Sequence, residues 1–198
     1  MMVKVCGITN LEDALEAVAG GASALGFNFY PPSPRYIAPE AAARIVERLP
    51  AGILNVGVFV NESPEAVVRI LRLAGLDVAQ LHGEETPEAA PRGVRLWKAF
   101  RVDPSFHPAR MNAWDAEAFL LDAPAEAFYG GSGQTFDWER ARGLGRRIVL
   151  AGGLDASNVR AAIQAAQPWG VDACSRLESS PGRKDRHKMK EFLKAALT

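Results

Sequence analysis

Residues 3–30 read VKVCGITNLEDALEAVAGGASALGFNFY, a complete strand–helix–strand unit. The run 3–8 is short and apolar, and strand alternation puts Lys4 and Cys6 on one face of it. Thr9 and Asn10 then offer a helix cap, and Glu12 and Asp13 bring acids into the first turn, where the helix dipole favours them. The spacing predicts a helix over 11–19. Gly20 and Gly21 close it, and a second apolar run follows at 24–30. Two strands joined through a helix lie parallel, with a right-handed crossover.

The pattern repeats down the chain. Further strand-like runs fall at 53–60, 78–82, 95–102, 118–123, 147–152 and 171–175. Further helix-like stretches fall at 39–49, 64–74, 139–144 and 156–166, with a last one at 186–197. Ser63 before Pro64 and Glu65, and Asp155-Ala156-Ser157-Asn158, read as further helix starts. After the fourth, fifth and sixth strands the chain reads as short turns and loops. Eight strands alternating with helices predict an α/β chain, and the number eight favours a closed (β/α)8 barrel over an open doubly wound sheet. A barrel of 198 residues is compact, so some crossover helices are expected to be shortened or replaced by loops. No linker or shift in composition divides the chain, so one domain over 1–198 is expected.

Composition narrows the function. Hydrophobic residues make up 48% and charged residues 23%, an ordinary globular balance. Lys+Arg and Asp+Glu are both 23, so the net charge is +0, and no basic block marks a nucleic-acid or membrane-surface binder. Two cysteines are too few for a disulfide framework, and three histidines show no ligand spacing, so no metal is expected. No apolar run reaches membrane-spanning length, and the N-terminus lacks the pattern of a signal peptide. A cytoplasmic location is expected. The oligomeric state, monomer or homodimer, is left open.

Barrel active sites collect at the carboxyl ends of the strands. Cys6 ends the first, two residues beyond Lys4 on the same face. A nearby cation lowers a thiol's pKa, which suits Cys6 to work as a base or nucleophile, although a buried inert cysteine has the same signature. Asp122 ends the apolar run Phe119-Leu120-Leu121, where partial desolvation suits a general acid. A turn or cap aspartate is the plainer reading. Arg35 follows the stiff run Pro31-Pro32-Ser33-Pro34, which presets its guanidinium for a carboxylate or phosphate, if it is not a solvated surface residue. His82 and Gln80 share a face of the fourth strand and either bond substrate or satisfy one another.

Glycine-bearing turns follow the last three strands. Gly131, Ser132 and Gly133 follow the sixth, in a stretch matching neither the dinucleotide fingerprint nor the phosphate-binding loop of nucleotide triphosphatases. Gly152 and Gly153 follow the seventh. Ser175 and Arg176 follow the eighth, with Ser179-Ser180-Pro181-Gly182 beyond. Barrels hold phosphate at such turns through backbone N–H groups. A thiol, a carboxyl, an arginine and a phosphate cup suit proton shuttling on a sugar phosphate, a reaction that needs no cofactor.

These residues resemble a known family. Val3-Lys4-Val5-Cys6-Gly7-Ile8-Thr9, Ser33-Pro34-Arg35-Tyr36-Ile37, Gln80-Leu81-His82-Gly83, Leu120-Leu121-Asp122, Gly131-Ser132-Gly133 and Leu150-Ala151-Gly152-Gly153-Leu154 are similar, in order, to phosphoribosylanthranilate isomerases. The resemblance spans nearly the whole chain and implies a (β/α)8 barrel of tryptophan biosynthesis that carries out an Amadori rearrangement without cofactor. It implies Asp122 as the general acid that opens the furanose ring and Cys6 as the base that takes a proton from the second carbon. It implies that Arg35 pairs with the anthranilate carboxylate, His82 belongs to the substrate site, and the three glycine-bearing turns hold phosphate. One departure stands out: the family usually reads Ser-Ser-Gly-Val-Glu where this chain reads Cys174-Ser175-Arg176-Leu177-Glu178. Arg176 gives up glycine's backbone freedom and brings a cation. Cys174 falls on the strand expected to close beside that of Cys6, where a disulfide would disable the base and a reducing compartment would prevent it. Two alternatives remain. A histidine-pathway isomerase resembles this barrel but carries Asp where Cys6 stands. A non-catalytic phosphate-binding barrel has only Arg176 in its favour.

Overall fold

The computed structural model describes residues 1–124 and 135–198. Eight parallel strands close into a barrel: β1 Met2–Cys6, β2 Ala24–Asn28, β3 Leu54–Phe59, β4 Val78–Leu81, β5 Arg95–Arg101, β6 Ala118–Asp122, β7 Ile148–Leu150 and β8 Gly170–Ala173. Each pairs with its neighbours in sequence, and β1 closes on β8 with Lys4 opposite Asp172 and Val5 opposite Ala173. Among the described residues, five α-helices cover the outside: α1 Leu11–Ala19, α2 Pro39–Val46, α3 Pro64–Ala74, α4 Val159–Ala166 and α5 Arg186–Leu197. Among the described residues no helix is long and apolar enough to cross a membrane.

Alternation along each strand separates two cores. Outward-facing Val5, Leu25, Phe27, Phe119 and Leu150 pack under helical Ala14, Ala17, Val67, Leu71 and Phe192. Inward-facing Val56, Val78, Trp97, Ala99, Leu120 and Val149 fill the barrel, and Met2, Leu54 and Trp169 pack against them. Trp97 meets Trp169 edge-on at 5.7 Å. The filled interior leaves the ends of the strands as the place where polar side chains gather.

Caps set the helix starts. Asn10 accepts from the Asp13 amide at 2.9 Å, and Ser63 accepts from Ala66 with Pro64 in the first turn. The 155–158 stretch behaves otherwise. Asp155 accepts from the Ser157 amide and hydroxyl, α4 begins only at Val159, and the Asn158 side chain donates through Nδ2 to the Gly153 carbonyl at 2.8 Å. The expected helix over 139–144 is a 3-10 turn at Trp138–Ala141. Similar turns at Pro87–Ala89 and Pro108–Ala113 stand in for helices after β4 and β5. A buried ion pair braces the loop after β4: Lys98 Nζ lies 2.6 Å from Glu85 and 2.8 Å from the Gly83 carbonyl. After β8 the chain makes a two-stranded hairpin, β9 Glu178–Ser180 and β10 Arg183–Lys184. The 179–182 stretch therefore ends β9 and turns into β10. The Gly182 carbonyl accepts from the Thr9 hydroxyl, and the Lys184 amide donates to Asp13 at 2.8 Å, folding the hairpin over the start of α1.

Candidate active site

Cys6, Arg35, His82, Asp122, Gly152, Gly153, Ser175 and Arg176 line one cavity at the carboxyl ends of the strands. Gly131, Ser132 and Gly133 lie outside the described residues.

Cys6 ends β1 beside Gly26, and a Cβ at Gly26 would stand 2.6 Å from its sulfur, so glycine there makes the room the thiol occupies. Lys4 lies below it as expected, and its charge favours the thiolate as expected. Its Nζ is fully buried and engaged by Asp172 at 3.0 Å. Burial pulls the ammonium down, but the charges and hydrogen bonds of Asp172 and Cys6 outweigh it and hold Lys4 above its ordinary value. The Cys6 thiol is nevertheless pushed well above the ordinary thiol range, first by its interaction with Cys174 and then by burial, which outweigh the Lys4 charge. The expectation of a thiol lowered by the nearby cation is corrected in its net result: Cys174, burial and Asp172 outweigh Lys4. Cys174, whose facing the sequence left open, points into the same cavity.

Asp122 stands at the end of β6, with Oδ1 accepting from the Ala123 amide at 2.9 Å and Oδ2 3.2 Å from His82 Nε2. His82 Nδ1 lies 3.0 Å from the Gln80 amide nitrogen. If that nitrogen donates, Nδ1 accepts and the ring proton sits on Nε2, aimed at Asp122. The reading that His82 and Gln80 satisfy one another is thus seen in the structure, and the other ring nitrogen meets the Asp122 carboxyl. Gly152, at φ 83°, brings the end of β7 so close that a Cβ would stand 2.4 Å from the Ala123 nitrogen and 2.9 Å from Asp122 Oδ1.

Arg35 sits on a loop held by Ser33, whose hydroxyl accepts from the Arg35 amide at 3.2 Å and from the Asn28 side chain at 3.2 Å. Its guanidinium is not free-standing. Nε and Nη2 grip Glu178 at 2.9 and 2.8 Å, and Glu178 also takes Lys184 at 3.1 Å. Burial opposes its charge, but Glu178 and the neighbouring thiols raise the guanidinium above its ordinary value. Among the described residues, the Arg35 hydrogen bonds to Glu178 use Nε and Nη2, not Nη1. Sequence reasoning did not single out Asp172, Glu178 or Lys184. For Asp172 the available signal was a charged residue inside a buried strand-like run, since such a group stays ionised inside only when matched.

At the glycine-bearing turns, Gly152 and Gly153 both hold positive φ, at 83° and 61°. Arg176 reaches from the turn after β8 to Asp155 in the loop after β7, with Nη1 2.8 Å from Oδ2. The arginine at the usual glycine position thus ties two turns together across the rim.

A family model described as N-(5'phosphoribosyl)anthranilate (PRA) isomerase matches residues 3–195. The N-(5'-phosphoribosyl)anthranilate isomerase of Solibacter usitatus is 56% identical over 196 residues, covering 99% of this chain and 97% of that one. The crystal structure of phosphoribosyl anthranilate isomerase from Thermus thermophilus superposes with a TM-score of 0.91 at 42% identity, covering 100% of this chain and 98% of that one. A phosphoribosyl anthranilate isomerase solved in complex with reduced 1-(o-carboxyphenylamino)-1-deoxyribulose 5-phosphate superposes at 0.86, with 41% identity over 100% and 98% of the two chains. A full-length family match and relatives of this identity, on a barrel with this cavity, establish that the chain belongs to the N-(5'-phosphoribosyl)anthranilate isomerase family.

Proposed function

We propose that this chain isomerises N-(5-phosphoribosyl)anthranilate to 1-(2-carboxyphenylamino)-1-deoxyribulose 5-phosphate in tryptophan biosynthesis, by general acid/base catalysis without a cofactor. The observation that carries the reading is the meeting of a thiol, Cys6, and a carboxyl, Asp122, at one cavity flanked by glycine-bearing turns. Asp122 gives its proton to the furanose ring oxygen as the C1–O bond breaks, which leaves a Schiff base between C1 and nitrogen. The Cys6 thiolate then takes the C2 proton. The C–H electrons form the C1=C2 bond, and the C1=N electrons return to nitrogen. The resulting enolamine tautomerises to the ketone.

The remaining groups position the substrate. Arg35, held on one edge by Glu178, offers its Nη1 end to the anthranilate carboxylate. His82 is a positioning residue that orients Asp122 by donating to it. The phosphate lies against Gly152, Gly153, Ser175 and Arg176, with Gly131, Ser132 and Gly133 assigned to the same role by resemblance. Glycines at positive φ let backbone N–H groups approach an anion closely, and Arg176 adds charge. A site holding two free thiols supports work in a reducing cytoplasm.

The test pairs turnover with binding. Loss of anthranilate fluorescence follows the reaction, and the reduced product analogue probes the site. Cys6→Ser is expected to bind the analogue while losing most turnover, because a hydroxyl is a poor base near neutrality. Full turnover by that variant removes Cys6 from the base role.

A further inference from the structure

Cys174 is a second half-buried thiol at the site that the reaction scheme leaves unused. The β1–β8 register carries Val5 opposite Ala173, so Cys6 and Cys174 are the next residues along paired parallel strands. Both side chains line the cavity, and each thiol perturbs the other. Lys184 approaches from the hairpin, with Nζ 3.9 Å from the Cys174 sulfur and 3.1 Å from its carbonyl. Arg35 approaches from the loop after β2: a Cβ on Gly7 would touch both its Cδ and the Cys174 sulfur at 2.9 Å.

The ionic surroundings of this pair can be balanced. Lys4, Arg35 and Lys184 are cations, and Asp172 and Glu178 are their carboxylate partners. Three positive charges against two negative leave the cluster one charge in excess while both thiols hold their protons. Loss of one thiol proton brings it to neutrality, whereas loss of the second buries an unmatched anion. His82 and Asp122 face the pair across the cavity as a couple, and Arg176 on the rim is paired with Asp155.

We propose that Cys174 is a positioning residue of the base: the two thiols ionise as a unit that gives up one proton and shares the other. Charge on Cys174 lies nearest Lys184 and Arg35, and charge on Cys6 lies where the substrate's C2 proton is taken. Transfer of the shared proton from Cys6 to Cys174 moves the thiolate onto Cys6 without changing the charge of the cluster. The pKa directions agree. Cys174 is brought down to about 7, first by its interaction with Cys6, with Lys184 and Arg35 helping against burial, while Cys6 is pushed well up. This inference rests on Cys6 being the catalytic base.

Two measurements test it on the reduced enzyme. Thiolate absorbance at about 240 nm, read against pH, is expected to show one proton leaving the parent pair near 7, with the second still bound at 9.0, the ordinary thiol value. In Cys174→Ser the remaining thiol is expected to titrate higher than the parent's first step. The acid limb of kcat/KM should move up with it, and at a fixed pH on that limb the rate falls about tenfold for every pH unit the limb moves. Two parent thiols titrating alike near 9.0, or an unmoved acid limb in Cys174→Ser, would overturn the proposal. Cys6→Ser run alongside separates the two failures: full turnover in that variant removes the base reading itself, whereas an inactive Cys6→Ser beside an unmoved Cys174→Ser limb refutes the shared proton alone.

Discussion

Replacing Asp172 by alanine strands a lysine that has no access to water. The Lys4 side chain is 0% exposed, and its ion pair with Asp172 spans 3.0 Å. Removing one member of a buried pair leaves an uncompensated charge and costs ~3–5 kcal/mol. For a chain of this length each kcal/mol lowers the melting temperature by ~2–4 °C, so Asp172→Ala is expected to melt roughly 6–20 °C below the parent. The pH dependence follows from the raised Lys4 value. A basic group held above its ordinary 10.5 contributes its full stability below that value and loses it only as pH rises through the folded value, so the deficit stays constant over the neutral range. A double variant, Lys4→Met with Asp172→Leu, removes both charges and is expected to recover most of the loss. Thermal melts by circular dichroism, repeated at about pH 7 and pH 9, provide the assay. An Asp172→Ala melt within ~2 °C of the parent, or a double variant no better than the single, would refute the reasoning.

Other expectations follow from the same geometry. Gly26→Ala drives a methyl into the Cys6 sulfur at 2.6 Å and its Cα at 3.1 Å, so it is expected to cost ~1–3 kcal/mol and to cut kcat; chemical denaturation with steady-state kinetics checks both. Arg35→Ala also leaves Glu178 with one cation instead of two, and is expected to raise KM for the carboxylated substrate at least tenfold; an unchanged KM removes the carboxylate role. Arg176→Gly breaks the tie to Asp155 and removes a rim cation, so inorganic phosphate is expected to compete less well against substrate, read as a higher inhibition constant.

Much of this was legible in the sequence. Apolar runs separated by helices or short turns mark all eight strands, because parallel strands buried on both faces read as near-continuous apolar stretches. Cys6, Asp122 and Arg35 reach one cavity because strand ends converge there in a closed barrel. The failures have physical causes. A 3-10 turn such as Trp138–Ala141 is too short to show helical periodicity, so the expectation of a helix over 139–144 overreaches. The hairpin bearing Glu178 and Lys184 has strands of three and two residues, beneath any alternation signal, although Pro181-Gly182 marks its turn. The electrostatics of Cys6 depend on Asp172 and Cys174, which are 166 and 168 residues away in sequence and adjacent only once β8 closes on β1. Strand alternation placed Lys4 below the thiol, but it could not say that a carboxylate had already claimed the ammonium.

The most direct test of the central claim gives the reduced chain phosphoribosylanthranilate and follows anthranilate fluorescence, with Asp122→Asn run alongside. The account predicts rapid loss of fluorescence with the parent and near-silence with Asp122→Asn, which still binds the reduced product analogue. A parent that binds the analogue without turnover, or an Asp122→Asn variant as fast as the parent, would contradict it.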